Sequence, residues 1–363
     1  MHVHDMKWND DPMLLGPDRR RGVLQFAMYA DHLAAGSTLL FRAIKTGTIK
    51  GYMLAVATLL ATFGTVSKDY RKDCDTDNKW SKPLQAVYDE HDRWMDVPDR
   101  REPFTVEMLE DQMQRATAPG TNFWALAAAI ADWEECGLFG GFRISEWAQS
   151  SHTDFDPAKP ALNKRNDTQA FTLLDIRART KQGRWLQGAT IISVRMVDIA
   201  RIWVRFKTQK NGENGQEIMW IATDDLSRKN FVRPMYNIIK RFVTLRGSHD
   251  VITPLSIFQT KTGQIRLITA KDVESQMRLA AINVYKLNPK KAGDKEILQK
   301  WSSHSLRVGA CVILHTMGAT ETQLKHLLRW KSSAFMVYLR NSPALGAMQN
   351  TCFDLNENMP NFF

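Results

Sequence analysis

In ARIWVRFKTQKNGENGQEIMWIAT, residues 200–223, apolar residues alternate with polar ones and two Asn-Gly pairs interrupt the run. Asn-Gly tolerates the positive φ angles of tight hairpin turns, so the stretch predicts a β-hairpin. A period of two sends Ile202, Val204 and Phe206 to one face and Trp203, Arg205 and Lys207 to the other. Weaker strand patterns precede it at 171–178 and 189–199. Most of the remaining chain has helical periodicity. The expected fold class is therefore mainly α with a small antiparallel β-sheet.

Working outward, GVLQFAMYADHLAAG (22–36) reads as a helix stopped by glycine. MLAVATLLATFGTV (53–66) is too short to span a bilayer and reads as a buried helix. SKPLQAVYDEHDRWM (81–95) has Ser81 as N-cap and a stripe of Leu84, Val87, Tyr88, His91 and Trp94. On that stripe His91 is a core or edge histidine before it is a ligand. DVPDRREPF (96–104), with two prolines among charges, reads as a linker. The expected division is an arm over 1–21, containing Arg19-Arg20-Arg21, a helical unit over 22–95 and the linker. A larger α+β unit over 105–345 and a tail over 346–363 complete it. In the larger unit, helices are expected from Thr105, Thr121, Leu226 and a Thr269–Asp272 capping box onward.

The chain has 363 residues and a net charge of +10, with pI near 9.4. Such a surface attracts polyanions, nucleic acid first. Cys74, Cys136, Cys311 and Cys352 are scattered with no CxxC pair. That spacing speaks for a reducing compartment and against a disulfide scaffold or zinc ribbon. His2, His4 and Asp5 form a chance HxH at a terminus, so no metal is expected. No secretory signal is visible.

Three clusters carry chemistry. In HSLR (304–307), His304 and Arg307 share a helix face three residues apart. A guanidinium fork with an imidazole suits a phosphate and a mobile proton. In GGFRISEW (140–147), Arg143 opens a helix after two glycines and Glu146 lies one turn on. The pair is either a surface ion pair or a second phosphate clamp. Lys207, or Lys210 inside the turn, is either a solvated strand-end lysine or an acid for a leaving oxygen. In LLRWKSSAFMVYLR (327–340), Trp330 offers one N–H donor, and Ser332 or Ser333 caps a helix bearing Tyr338.

In chain order, Arg143–Glu146, Lys207, His304-x-x-Arg307, Trp330 and Tyr338 resemble the tyrosine recombinase (phage-integrase-like) family. The likeness spans roughly 105–345 and is specific at GFRISEW, HSLRVGA and LLRWKSSAFMVYLR. Most bacterial and phage members have Leu-Gly-His where this chain has Leu328-Arg329-Trp330, with an interval to the tyrosine one residue longer. The RWKS…YLR form is most similar to eukaryotic crypton and DIRS-type recombinases.

The resemblance implies that residues 22–95 are a core-binding, DNA-clamping domain and 105–345 the catalytic domain. It implies site-specific strand exchange on double-stranded DNA through a 3′-phosphotyrosyl bond, without metal, ATP or other cofactor. Arg143 and Arg307 would hold the phosphate, with Trp330 as a neutral donor and Glu146 orienting Arg143. Lys207 would protonate the 5′-oxygen, His304 would help deprotonate Tyr338, and Tyr338 would attack. Arg42, Lys45, Lys50, Arg228, Lys229, Arg233, Lys240 and Arg241 are candidate DNA contacts. A tetramer on DNA is implied, with no membrane partner. The compartment is the nucleus for the favoured eukaryotic host and the cytoplasm for any other. Rival readings are a type IB topoisomerase, a domesticated DNA-binding protein without catalysis, and an unrelated basic helical protein.

Overall fold

A computed structural model describes residues 19–35, 44–62, 69, 71–72, 79–94, 101–148, 170–207, 214–223, 229–330 and 332–339. The chain divides into two units, residues 1–99 and 100–363. No described helix is long and apolar enough to cross a membrane.

The first unit holds α1 (Arg19–Ala34), α2 (Thr46–Thr62) and α3 (Lys82–Trp94). Val23, Phe26, Ala30 and Leu33 recur at helical spacing along α1 and pack with Ile49 and Met53 of α2 and Leu84 and Tyr88 of α3. Arg19-Arg20-Arg21, expected in an arm, open α1. The expected burial of the second helix is corrected too. Among the described side chains of α2, only Ile49 and Met53 are fully enclosed, while Leu54 and Leu59 are 50% and 56% exposed. Ser81 sits where a cap belongs, yet its hydroxyl has no hydrogen-bond partner among the described residues. His91 is an edge histidine, its Nδ1 sharing a 2.8 Å hydrogen bond with Thr46 Oγ1.

In the second unit, α4 (Val106–Ala116), α5 (Leu126–Gly140) and α6 (Ile144–Trp147) precede a four-stranded antiparallel sheet. Its strands are β1 (Ile176–Thr180), β2 (Trp185–Gln187), β3 (Ile199–Phe206) and β4 (Gln216–Ile221), in the order β2-β1-β3-β4. Then come α7 (Val232–Arg246), a hairpin of β5 (Ile257–Gln259) and β6 (Ile265–Leu267), and α8 (Ala270–Tyr285). The described chain ends with α9 (Ala292–Gln299), α10 (Ser305–Thr316), α11 (Glu321–Leu327) and α12 (Met336–Leu339). The fold is mainly α with a small antiparallel sheet. One apolar core runs from Phe104 through α5, the inner sheet face and α7 to Leu306.

The hairpin forms as its alternation requires. Ile202, Val204 and Phe206 are buried, and Gly215, at φ +83°, donates its N–H to Phe206 O at 2.7 Å. The weaker strand expectations are corrected. Thr172 turns its N–H and hydroxyl onto Asp175 Oδ2, both at 2.9 Å, so a 3₁₀ turn delays β1 to Ile176. Side-chain bonds of this kind compete with ladder pairing. Likewise Gln187 N–H bonds Thr190 Oγ1 at 2.9 Å, and most of 189–198 is 3₁₀ turn. α5 begins at Leu126 because Asn122 Oδ1 first closes a turn on Trp124 N–H at 3.0 Å. The β5–β6 hairpin, in a stretch expected to be helical, turns at Gly263 with φ +82°. The Thr269–Asp272 capping box opens α8 as expected.

Part of the expected linker is structural. Glu102 N–H and Phe104 N–H bond Lys300 O and Ser305 O at 3.2 and 3.0 Å, and Trp301 Nε1–H bonds Pro103 O at 3.1 Å. Phe104 is fully buried. Residues 101–104 are thus laced to the start of α10. Gly309 makes this approach possible, since a Cβ there would strike the Phe104 backbone.

Candidate active site

A satellite apolar cluster seats the tyrosine. Ala310, Cys311, Leu324, Leu328, Phe335 and Leu339 are buried together, apart from the main core. A four-residue helix has no stability of its own. α12 is held because Phe335 and Leu339 sink into the cluster, leaving half-buried Tyr338 beside them. The Tyr338 ring then lies 5.8 Å from that of Trp330 and 5.6 Å from that of His304.

His304 stands at the head of α10, and its Nε2 is 2.9 Å from Tyr338 Oη. The residue keeps a solvent-facing surface. Desolvation by the chain packed around the ring, reinforced by the guanidiniums of Arg307, Arg101 and Arg143, holds the imidazole below its ordinary pKa. Burial raises the pKa of Tyr338; Arg307 opposes this and Cys311 adds to it. The guanidinium therefore does not suffice to lower the phenol. At neutral pH the resting pair is a neutral imidazole and a protonated phenol.

Arg307, one turn into α10, is buried. Its Nη1 donates to Gly141 O at 2.6 Å and its Nη2 to Leu328 O, and its guanidinium lies 5.1 Å from the Trp330 ring centroid. Burial and the charges of Arg143 and Arg329 depress its pKa to about 9, which leaves it protonated at neutral pH. The carbonyl of Gly141 is available because that residue ends α5 in the left-handed region at φ +53°, a conformation suited to glycine.

Arg143 caps α6 and is half-buried. Its backbone N–H donates to Glu146 Oε2 at 2.8 Å, its Nη1 to Oε1 at 3.0 Å and its Nη2 to Arg329 O at 3.5 Å. Glu146 is buried and serves a second cation, Arg329, whose Nη2 is 2.9 Å from Oε2. The ion pair is thus not a surface one. Trp330, half-buried, makes no side-chain hydrogen bond among the described residues. Arg143, Glu146, His304, Arg307, Trp330 and Tyr338 are brought together.

Lys207 is engaged by a carboxylate. Its Nζ is 3.0 Å from Asp175 Oδ2, with the lysine side chain 11% exposed and the aspartate enclosed. Arg205 shares this carboxylate at 3.1 Å. Lys210, Arg42 and Arg228 lie outside the described residues. Of the other candidate DNA contacts, Lys45 and Lys240 are exposed. Lys50 lies 4.8 Å from the Tyr88 ring centroid, and Lys229 pairs with Glu110 at 2.5 Å. Arg233 binds buried Glu135 at 2.7 Å. Arg241 is corrected outright as a surface contact. It is buried, bonded to Asp132 at 2.6 Å and to Phe123 O at 2.9 Å, and it ties α7 to α5.

Sequence reading missed Arg329, Asp175 and Arg101. Asp175 alone left a signal, as the acidic residue three after Thr172 in a capping-box spacing. The burial of Arg329 and the approach of Arg101 to His304 arise from long-range packing.

No family model matches the chain, and no curated protein matches it. Among solved structures, the chain is similar to the Tn1549 transposon integrase in complex with transposon right end DNA. The identity is 12%, with 92% of this chain and 85% of that chain covered and a TM-score of 0.41. It is also similar to XerA recombinase, at 15% identity over 95% of this chain and all of that one, with a TM-score of 0.35.

Proposed function

We propose that this protein is a tyrosine recombinase that cleaves and rejoins double-stranded DNA at specific sites. The observation that carries the reading is the 2.9 Å bond between Tyr338 Oη and His304 Nε2, with the guanidinium of Arg307 close enough to act on both groups. A phenol bonded to an imidazole held neutral is a nucleophile beside its base. Arginines near it supply positive charge to stabilise the negative charge that a pentacoordinate phosphate develops.

In the proposed step, Tyr338 Oη bonds to a backbone phosphorus as its proton passes to His304 Nε2. The bond from phosphorus to the 5′-oxygen breaks, and the oxygen leaves with a proton. The phosphate remains linked to the tyrosine at its 3′ side. Arg143 and Arg307 hold the non-bridging oxygens and Trp330 Nε1–H adds a neutral donor. Lys207 is the candidate acid, and it reaches the leaving oxygen by exchanging Asp175 for the DNA. A free 5′-hydroxyl from a second strand reverses the sequence, so bond energy is kept and no nucleotide is consumed. The net charge of +10 supports duplex DNA as partner. Assembly as a tetramer, crypton or DIRS-type affinity and nuclear location rest on the motif resemblance.

The test is a nicked duplex library that loses its short 5′-hydroxyl fragment after cleavage and so traps the intermediate. A denaturation-resistant protein–DNA adduct is expected, absent in Tyr338→Phe. An adduct undiminished in that variant refutes the assignment.

A further inference from the structure

Arg329 holds a conformation and a location that its side chain ordinarily avoids. It follows α11 at φ +55°, in the left-handed region where glycine is unstrained and arginine is not. Its side chain is completely enclosed, and among the described residues Nε has no hydrogen-bond partner. A strained backbone, a buried charge and an orphaned donor are three costs that a glycine would spare.

The bonds it makes converge on one place. Nη1 donates to Gly140 O at 2.9 Å, and Nη2 donates to Gly141 O at 3.4 Å and to Glu146 Oε2 at 2.9 Å. The guanidinium lies over the Phe206 ring, 3.8 Å from its centroid, which closes its other side. Glu146 faces Arg143 through Oε1, and the Arg329 carbonyl lies 3.5 Å from Arg143 Nη2. Gly141 O is also the acceptor that seats Arg307 Nη1. The next residue is Trp330. One buried side chain therefore ties together the glycine turn, the α6 carboxylate and the segment carrying the indole.

We propose that Arg329 is a positioning residue, which through Glu146 and its own carbonyl sets the orientation in which Arg143 meets the phosphate. The assignment rests on the recombinase reading for the identity of the reaction, though not for the geometry. Arg329 touches no reacting atom. It fixes the carboxylate from behind, so Glu146 cannot swing to follow Arg143, and the guanidinium of Arg143 is held before DNA arrives. Preorganisation of this kind acts on the rate of the chemical step more than on DNA affinity, because the many remaining phosphate contacts are untouched.

The experiment is a double-mutant cycle on the full chain with Arg329→Gly, Glu146→Gln and the pair. Arg329→Lys is added as the variant that keeps charge and enclosure if the glycine variant does not fold. Two quantities are read: the rate of adduct formation at saturating nicked duplex, and the duplex dissociation constant. Each single change is expected to slow adduct formation ~10–100-fold, with affinity changed less than ~3-fold. The pair should be no slower than the worse single by more than ~3-fold, since both act on one group. Additive losses, or a folded Arg329→Gly with unchanged rate, overturn the proposal. The same cycle is repeated with inorganic phosphate, followed through the His304 imidazole signals by NMR. Should the unmodified chain form no adduct while phosphate affinity shows the same non-additive loss, the recombinase reading fails and the Arg329 assignment stands. Phosphate affinity indifferent to Arg329 in that case overturns both.

Discussion

Gly309→Ala tests whether the backbone of Phe104 fixes the start of α10, and with it the two groups that begin that helix. An alanine Cβ would stand 3.0 Å from the Phe104 carbonyl carbon and 3.1 Å from its nitrogen, with the carbonyl oxygen nearer still. These are backbone atoms bonded through Phe104 N–H to Ser305 O at 3.0 Å, so no side chain can rotate away. Relief requires α10 and the 103–105 segment to part by roughly 1 Å, the scale of overpacking that costs ~1–3 kcal/mol. For a unit of this size, a loss of 1 kcal/mol lowers Tm by ~2–4 °C, so a fall of about 2–12 °C is expected in a thermal melt. The same displacement moves His304 and Arg307 against Arg143 and Tyr338. A misplacement of ~1 Å at reacting groups can cost ~100-fold, to be read as the rate of adduct formation well below the variant's melting range. A variant whose Tm is unchanged and whose rate stays within about twofold of the parent would refute the reasoning.

Further outcomes follow from the same geometry. Because the His304 pKa is lowered, its neutral, proton-accepting form persists down through the ordinary histidine range. The acid limb of the adduct-rate profile should therefore lie below pH ~6.5 and vanish in His304→Gln; a limb centred above neutrality contradicts the assignment. Arg241→Met leaves Asp132 buried without its cation. It should cost ~3–5 kcal/mol in a denaturant titration while leaving the salt slope of DNA binding unchanged. Lys240→Ala, at an exposed position, should reduce that slope by about 1 without loss of stability. Trp330→Ala should slow cleavage more than Trp330→His, since histidine restores an N–H donor; equal effects would remove the donor role.

What the sequence disclosed was local or ordered along the chain. The Asn-Gly-flanked hairpin, the Thr269–Asp272 box and the spacing of His304 and Arg307 depend on neighbours within a few residues, and each forms. Strand and helix limits failed where a side chain diverted the backbone, as Asp175 does with Thr172 and Asn122 does with Trp124. The grouping of Arg143 with His304 was legible only through motif order, since no periodicity relates residues so far apart. Burial of charge was not legible at all. Arg241, Arg329 and Lys207 read alike as basic residues, and only tertiary packing places the first two in the interior and the third on Asp175.

The most direct measurement is the site of covalent attachment. Protein trapped on a nicked duplex is digested with nuclease and protease, and the nucleotide-bearing peptide is sequenced by mass spectrometry. A 3′-phosphate-linked nucleotide on Tyr338 is the expected result. A nucleotide on any other residue, or full nicking with no protein–DNA bond, contradicts the mechanism.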